Sequence, residues 1–114
     1  MARDTLGQFE QLVLLAILHL AAPGDEDVYG VPIVEEIERR TGRPASRVAV
    51  YVALRRLEDK GLVKSWMGEP LAERGGKSRR LVQVTRTGRQ ALRDARLVLD
   101  QMWRGLDPRL EKNR

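Results

Sequence analysis

The sequence contains no cysteine and only one histidine, His19. Without cysteine there is no disulfide, no thiol nucleophile and no thiolate ligand for zinc. A single histidine is too few for a typical zinc site, and it leaves no nucleophile–base set of the kind used in catalytic triads and dyads. We therefore expect a protein that is not an enzyme and that holds neither a metal nor another cofactor.

Long hydrophobic runs are also missing. The longest apolar stretch, Leu12–Ala22, is interrupted by His19, whereas a helix that spans a bilayer needs roughly 20 apolar residues. A secretory signal would begin with a basic segment, but Arg3 is followed by Asp4 and Glu10. The sequence thus predicts a cytoplasmic protein with no membrane partner.

Positive charge is abundant and unevenly distributed. The 114 residues carry a net charge of +5 and are 42% hydrophobic, which is enough for one compact domain. Residues 1–38 have a net charge of −7, residues 39–80 of +8 and residues 81–114 of +4. A small basic domain favours an anionic partner, and the middle third is where such a partner would bind.

Three helices are predicted in the first half of the chain. Apolar spacing of three and four residues marks Leu6–Ala21, Tyr29–Thr41 and Arg47–Lys60 as helical. Gly42 can end the second helix in the left-handed region, and Ser46 can cap the third. Two amphipathic helices joined by this short turn predict a helix-turn-helix.

Two short strands and a final helix follow. The strands, 62–67 and 80–84, flank a loop at 68–78 that is rich in glycine and charge, which indicates a β-hairpin with a long tip. Thr85 can cap the last helix, which is expected to run to about Leu106. The fold class is therefore mainly α with a small β-hairpin: a winged helix-turn-helix followed by a C-terminal dimerisation helix.

Two helices carry more apolar surface than a small domain readily buries. The first is apolar nearly all round, so it either faces a second subunit or forms the central helix of a monomer. The last shows the 3, 4, 3, 4 spacing typical of helix pairing. We predict a DNA-binding domain at 1–85, a dimerisation helix at 86–107 and a flexible tail at 108–114. The predicted dimer residues are Phe9, Val13, Ile17, Leu92, Ala95, Leu99, Met102, Trp103 and Leu106.

The predicted DNA contacts are basic and hydroxyl side chains of the third helix and the hairpin. Arginine matches phosphate oxygens in pairs, and residues at the start of a recognition helix reach base edges best, so Arg47 is the expected guanine contact. Alternatively, Arg55 and Arg56 form ordinary i,i+3 ion pairs with Glu58 and Asp59. The predicted contacts are Arg43, Ser46, Arg47, Tyr51, Arg55, Arg56, Arg74, Lys77, Arg79 and Arg80.

The order of these segments resembles the PadR family of bacterial transcriptional regulators. The resemblance covers residues 6 to about 95, and a single C-terminal helix is similar to the family's compact subgroup. Its most specific pieces are Tyr29-Gly30, Tyr51-x-x-Leu54-x-x-Leu57-Glu58-x-x-Gly61 and Thr85-x-x-Gly88-Arg89. The sequence departs from the family at Leu81 and Val82, where adjacent tyrosines are usual, and at Val48, where a small residue is common.

The resemblance implies a homodimer, joined through the first and last helices, that binds a palindromic operator in double-stranded DNA, usually as a repressor. Some members release DNA when a small aromatic molecule binds between the subunits. Trp103 either packs in the dimer or stacks on such an effector. The alternative function is a winged-helix module that binds an acidic protein partner.

Overall fold

Four helices and one antiparallel hairpin make up the part of the chain that the computed structural model describes, residues 6–23, 27–69, 79–106 and 110. This order confirms the predicted winged helix-turn-helix with a C-terminal helix. The elements are α1 (Gln8–Leu20), α2 (Gly30–Thr41), α3 (Arg47–Asp59), β1 (Val63–Met67), β2 (Arg80–Val84) and α4 (Arg86–Trp103).

Helix ends are fixed by the residues that the sequence indicated. Gly42 ends α2 with φ +72°, and its N–H donates to the Glu38 carbonyl at 2.9 Å. Ser46 Oγ accepts from the Ala49 N–H at 2.9 Å at the start of α3. Thr85 Oγ1 accepts from the Gly88 N–H at 3.0 Å at the start of α4. These local bonds satisfy donors and acceptors that a helix end leaves without partners.

The core lies where α1, α2, α3 and the hairpin meet, and α1 is its central helix. Val13 is 0% and Ile17 1% exposed within a single chain. They therefore have no surface left for a second subunit, and the structure corrects their predicted role in a dimer interface. Phe9 is half-buried against the same core, whereas Leu15 remains 43% exposed.

The hairpin is tied to the rest of the domain through its backbone. β1 pairs with β2 from Val63 opposite Val84 to Met67 opposite Arg80. The Val82 N–H also donates to the Val28 carbonyl at 2.8 Å, so the segment before α2 pairs with β2. The sequence did not indicate this pairing, because an isolated bridge has no periodic pattern.

The last helix is shorter than predicted. α4 ends at Trp103, because the Arg104 N–H closes it on the Asp100 carbonyl at 3.1 Å and Gly105 then turns with φ +88°. Leu106 is consequently outside the helix, so its predicted place in the helical seam is wrong. The predicted tail at 108–114 lies outside the described residues, apart from Leu110.

A buried carboxylate on α2 accepts hydrogen bonds from two arginines of the same helix. Glu36 is 8% exposed, and its Oε2 accepts hydrogen bonds from Arg39 Nη2, at 2.7 Å, and from Arg40 Nε. These hydrogen bonds, with the charges of both guanidinium groups, lower the pKa of Glu36 from 4.5 to about 2, although burial acts in the opposite direction. The acid is therefore ionised in the folded protein at neutral pH.

We expect the contribution of Glu36 to stability to disappear in acid. Because its pKa is lower in the folded chain than in the unfolded chain, this contribution is complete above pH 4.5 and is lost as pH falls through about 2. The difference in free energy of unfolding between wild type and Glu36→Gln should thus shrink between pH 6 and pH 3. Urea denaturation followed by circular dichroism measures it, and a constant difference would contradict the assignment.

Candidate nucleic-acid interface

The side of α3 that faces away from the core is rich in arginine. Val50, Ala53, Leu54 and Leu57 are buried and fix the inner side of the helix. Helical periodicity then directs the remaining side chains outward. The exposed residues on α3 and the turn before it include Arg43, Ser46, Arg47, Val48, Tyr51, Val52, Arg55 and Arg56.

These arginines are not neutralised by nearby acids. Within the described residues, Arg43, Arg47, Arg55 and Arg56 form no ion pair. The alternative in which the last two pair with acids three residues later is therefore not observed. Glu58, one of those acids, instead accepts a hydrogen bond from Ser65 Oγ at 2.8 Å. The outer side of α3 thus presents arginines that are free of ion pairs in this part of the chain, with Glu58 and Asp59 exposed at its C-terminal end.

Ser46 caps α3 and can still contact an anion. Its Oγ accepts the capping hydrogen bond from the Ala49 N–H, and a hydroxyl can donate its own hydrogen at the same time. This exposed residue adjoins Arg47, the first residue of α3. The start of α3 therefore offers a hydroxyl donor next to a guanidinium group.

Tyr51 packs on the beginning of α2. A Cβ added to Gly30 would lie 2.5 Å from Cε1 and 2.8 Å from the hydroxyl oxygen of Tyr51, so the ring occupies the space that any other residue at position 30 would fill. The ring is nevertheless 52% exposed. This contact gives a physical reason for two of the motif pieces noted in the sequence, since the tyrosine of one rests on the glycine of the other.

Two arginines of the hairpin are held in place by neighbouring side chains. Arg80 Nη1 donates to Ser65 Oγ at 2.7 Å, and that hydroxyl donates to Glu58 of α3, so the hairpin is linked to the helix. The guanidinium carbon of Arg79 lies 4.1 Å from the centroid of the Tyr29 ring, a cation–π contact. The other predicted hairpin contacts, Arg74 and Lys77, lie outside the described residues.

A second feature is a groove between α1 and α4 with a volume of about 550 Å³, lined by five apolar side chains and by Gln11, Arg89, Arg93, Arg96 and Asp100. Leu15 and Trp103 line it, together with Leu99, and are 43%, 45% and 54% exposed. Met102 beside it is 74% exposed, whereas Leu92 and Ala95 are half-buried. We name this surface, formed by Leu15, Leu18, Leu92, Leu99 and Trp103, the α1–α4 groove.

Comparison with known proteins identifies the family of this fold. The model of the transcriptional regulator PadR-like family matches residues 17–94, more than half of the chain. The chain belongs to the PadR-like family of transcriptional regulators. The resemblance noted in the sequence is thereby confirmed, and this PadR-like protein is a transcription regulator rather than an enzyme.

Solved structures agree with the family match. A PadR family regulator from Eggerthella lenta DSM 2243 is 28% identical, with a TM-score of 0.65 over 90% of this chain and 84% of that one. The fold is shared by a transcriptional regulator from Clostridium thermocellum, which is 21% identical with a TM-score of 0.65 over 82% of this chain and 81% of that one. It is also shared by a PadR family regulator from Clostridium difficile R20291, which is 24% identical with a TM-score of 0.60 over 86% of this chain and 88% of that one. No curated protein matches the sequence.

Other kinds of site are not found in the described residues of this PadR-like regulator. In that part of the chain no group of three or more histidine, cysteine, aspartate or glutamate side chains is arranged to hold a metal. Nor does any helix there combine the length and apolar character needed to cross a bilayer.

Tyr29 and the two outer valines of α3, Val48 and Val52, were not among the predicted site residues. Tyr29 lies before α2, and its contact with Arg79 joins residues 50 positions apart, which no local pattern reveals. Val48 and Val52 could have been found, because the periodicity that places Val50 inside also places them outside.

Proposed function

We propose that this PadR-like regulator is a sequence-specific DNA-binding protein that acts as a homodimeric repressor on a palindromic operator. The observation that carries the proposal is the set of exposed arginines on α3 and the turn before it that form no ion pair with any described residue. A helix of this width enters the major groove of DNA, and unpaired guanidinium groups bind phosphates and base edges without first breaking an ion pair. The family's role in transcriptional regulation supports the same function.

The two parts of the surface have different expected roles. Arg47 stands at the N-terminal end of α3, the part of a recognition helix that reaches base edges, and guanine is its proposed partner. The hairpin tip, with Arg74 and Lys77, is proposed to contact phosphates, which position the protein without reading sequence. Arg79 and Arg80, whose guanidinium groups contact the Tyr29 ring and Ser65 Oγ, are proposed to contact phosphates as well.

This division of roles predicts two different mutant phenotypes. Arg47→Ala should relax specificity at one base position and weaken binding to the preferred sequence by about 1–3 kcal/mol. Lys77→Ala should weaken binding to all DNA sequences by a similar factor. If six to eight phosphates are neutralised, log K should fall against log salt with a slope of about −5 to −7. Gel shifts with several DNA sequences measure the affinity and specificity of each variant, and gel shifts over a salt series measure the slope. Identical behaviour of the two variants would contradict the assignment.

A second copy of the chain is the proposed partner of the α1–α4 groove, which would make the protein a homodimer. Leu99, Met102 and Trp103 expose apolar surface on one helix, and a second copy of α4 would bury it. An aromatic effector stacked on Trp103 is the alternative. In a Trp66→Phe variant, Trp103 is the single tryptophan, so its fluorescence reports on both cases. Dependence on protein concentration supports the dimer, whereas dependence on an added planar aromatic compound supports the effector.

The experiment that tests the proposed function directly is selection of bound fragments from the source genome with the full chain, followed by sequencing. A DNA-binding regulator enriches a defined, inverted-repeat sequence. A winged-helix module that binds an acidic protein instead enriches no sequence, and this outcome would overturn the proposal. Reduced transcription of a reporter carrying the enriched site would support repression, and increased transcription would refute it.

A further inference from the structure

Two valines lie on the outer side of α3. At 100° per residue, Val48 and Val52 each lie about 160° around the helix from the buried Val50. They are 71% and 44% exposed. They are also one helical turn apart, so their side chains are neighbours on the surface. We call this pair the valine ridge.

The valine ridge contributes little to the stability of the chain that carries it. Neither side chain belongs to the buried core, so both leave apolar surface in water. Valine is also a poorer helix former than alanine, lysine or glutamate, because its branched Cβ restricts rotation against the preceding turn. Alanine at either position would suit the free protein at least as well. The ridge is therefore better explained by something that α3 binds.

The neighbours of the ridge indicate what that partner is. Arg47 precedes it and Arg55 and Arg56 follow it, and all three are exposed and form no ion pair within residues 6–23, 27–69 and 79–106. An apolar strip bordered by positive charge matches the major groove of DNA, where phosphates flank the bases and thymine alone carries a methyl group, at C5.

We infer that Val48 and Val52 read the C5-methyl groups of thymines in the operator. This inference rests on the proposed function and adds a base that the DNA site must contain. Because valine in a helix has one strongly preferred χ1 rotamer, the γ-methyl groups are in position before DNA arrives. Arg47 and the valine ridge then distinguish different bases: the guanidinium group selects guanine, and the ridge selects thymine at adjacent positions.

Uracil substitution tests this inference without altering base pairing. In the sequence enriched by genomic selection, each thymine is replaced in turn by deoxyuridine, which removes only the C5-methyl group. Affinity of the full chain is then measured by gel shift. We expect a loss of about fourfold for each contacted methyl group, at one or two positions in each half-site, and no loss elsewhere.

A double-mutant cycle assigns the effect to the two side chains. Val48→Ala and Val52→Ala should each abolish the uracil effect at one position, whereas Arg55→Ala should weaken binding but leave the uracil effect intact. Both valines are exposed, so the variants should keep the circular dichroism spectrum and unfolding midpoint of the wild type.

The outcomes separate this inference from the proposed function. Specific DNA binding that is insensitive to uracil at every position overturns the inference and leaves the proposed function standing. A uracil effect that persists in both valine variants also overturns the inference, because another residue must then contact the methyl group. Failure to bind any DNA overturns both.

Discussion

Gly88→Ala is expected to lower the free energy of unfolding by about 3 kcal/mol, the upper end of the usual cost of overpacking. A Cβ at this position would lie 2.2 Å from the Leu62 carbonyl oxygen and 2.8 Å from Cγ1 of Val84. The carbonyl cannot move aside freely, because it accepts the Thr85 N–H at 3.0 Å. The start of α4 would have to separate from the hairpin. Urea denaturation measures the loss.

The direction of the change in stability distinguishes close packing at Gly88 from the ordinary preference of a helix for alanine. Glycine within a helix normally costs about 0.5–1 kcal/mol relative to alanine, so without the close contact Gly88→Ala would stabilise the chain. Gly42→Ala is the matched control, because a Cβ there would meet no atom of the described residues within 4 Å and only its φ of +72° is unfavourable. This backbone conformation costs a residue other than glycine about 1–2 kcal/mol. A Gly88→Ala variant as stable as the wild type would contradict the packing described here.

The second large effect is expected on α4. Replacing Leu99 and Met102 together with glutamate should produce a monomer and weaken binding to a two-half-site operator by about 100-fold or more. The reason is that the proposed interface would have to bury two unpaired charges from each subunit, and the gain from linking two half-site contacts would be lost. Sedimentation velocity and gel shift measure the two consequences on the same preparation.

A charge-matched control separates the interface from electrostatics. Gln90 and Gln101 are exposed on α4, and replacing both with glutamate changes the net charge by the same amount as the Leu99 and Met102 pair. This control should remain dimeric and lose only the small part of DNA affinity that the added charge removes. Equal losses in the two double variants, or a wild type that is monomeric at micromolar concentration, would refute the proposed dimer.

Features set by neighbouring residues were predictable from the sequence. Gly42, Ser46 and Thr85 mark helix ends through bonds that span three or four residues, and the spacing of Val50, Leu54 and Leu57 gives the orientation of α3. For the same reason the fold class and most of the exposed arginines followed from the pattern alone. The end of α4 was misplaced, since the apolar spacing continues to Leu106, beyond the turn that Gly105 makes.

The sequence by itself thus determined the order of helices and strands, the caps and the inner and outer sides of α3, because these depend on residues close together in the chain. Only the tertiary structure decided which apolar surface stays open: α1 buries Val13 and Ile17 among its neighbours, whereas Leu99 and Met102 remain exposed. It likewise decided that Arg79 rests on Tyr29 and that Ser65 links Arg80 to Glu58. Such contacts join residues far apart in the chain, and no periodic pattern encodes which partner each side chain meets.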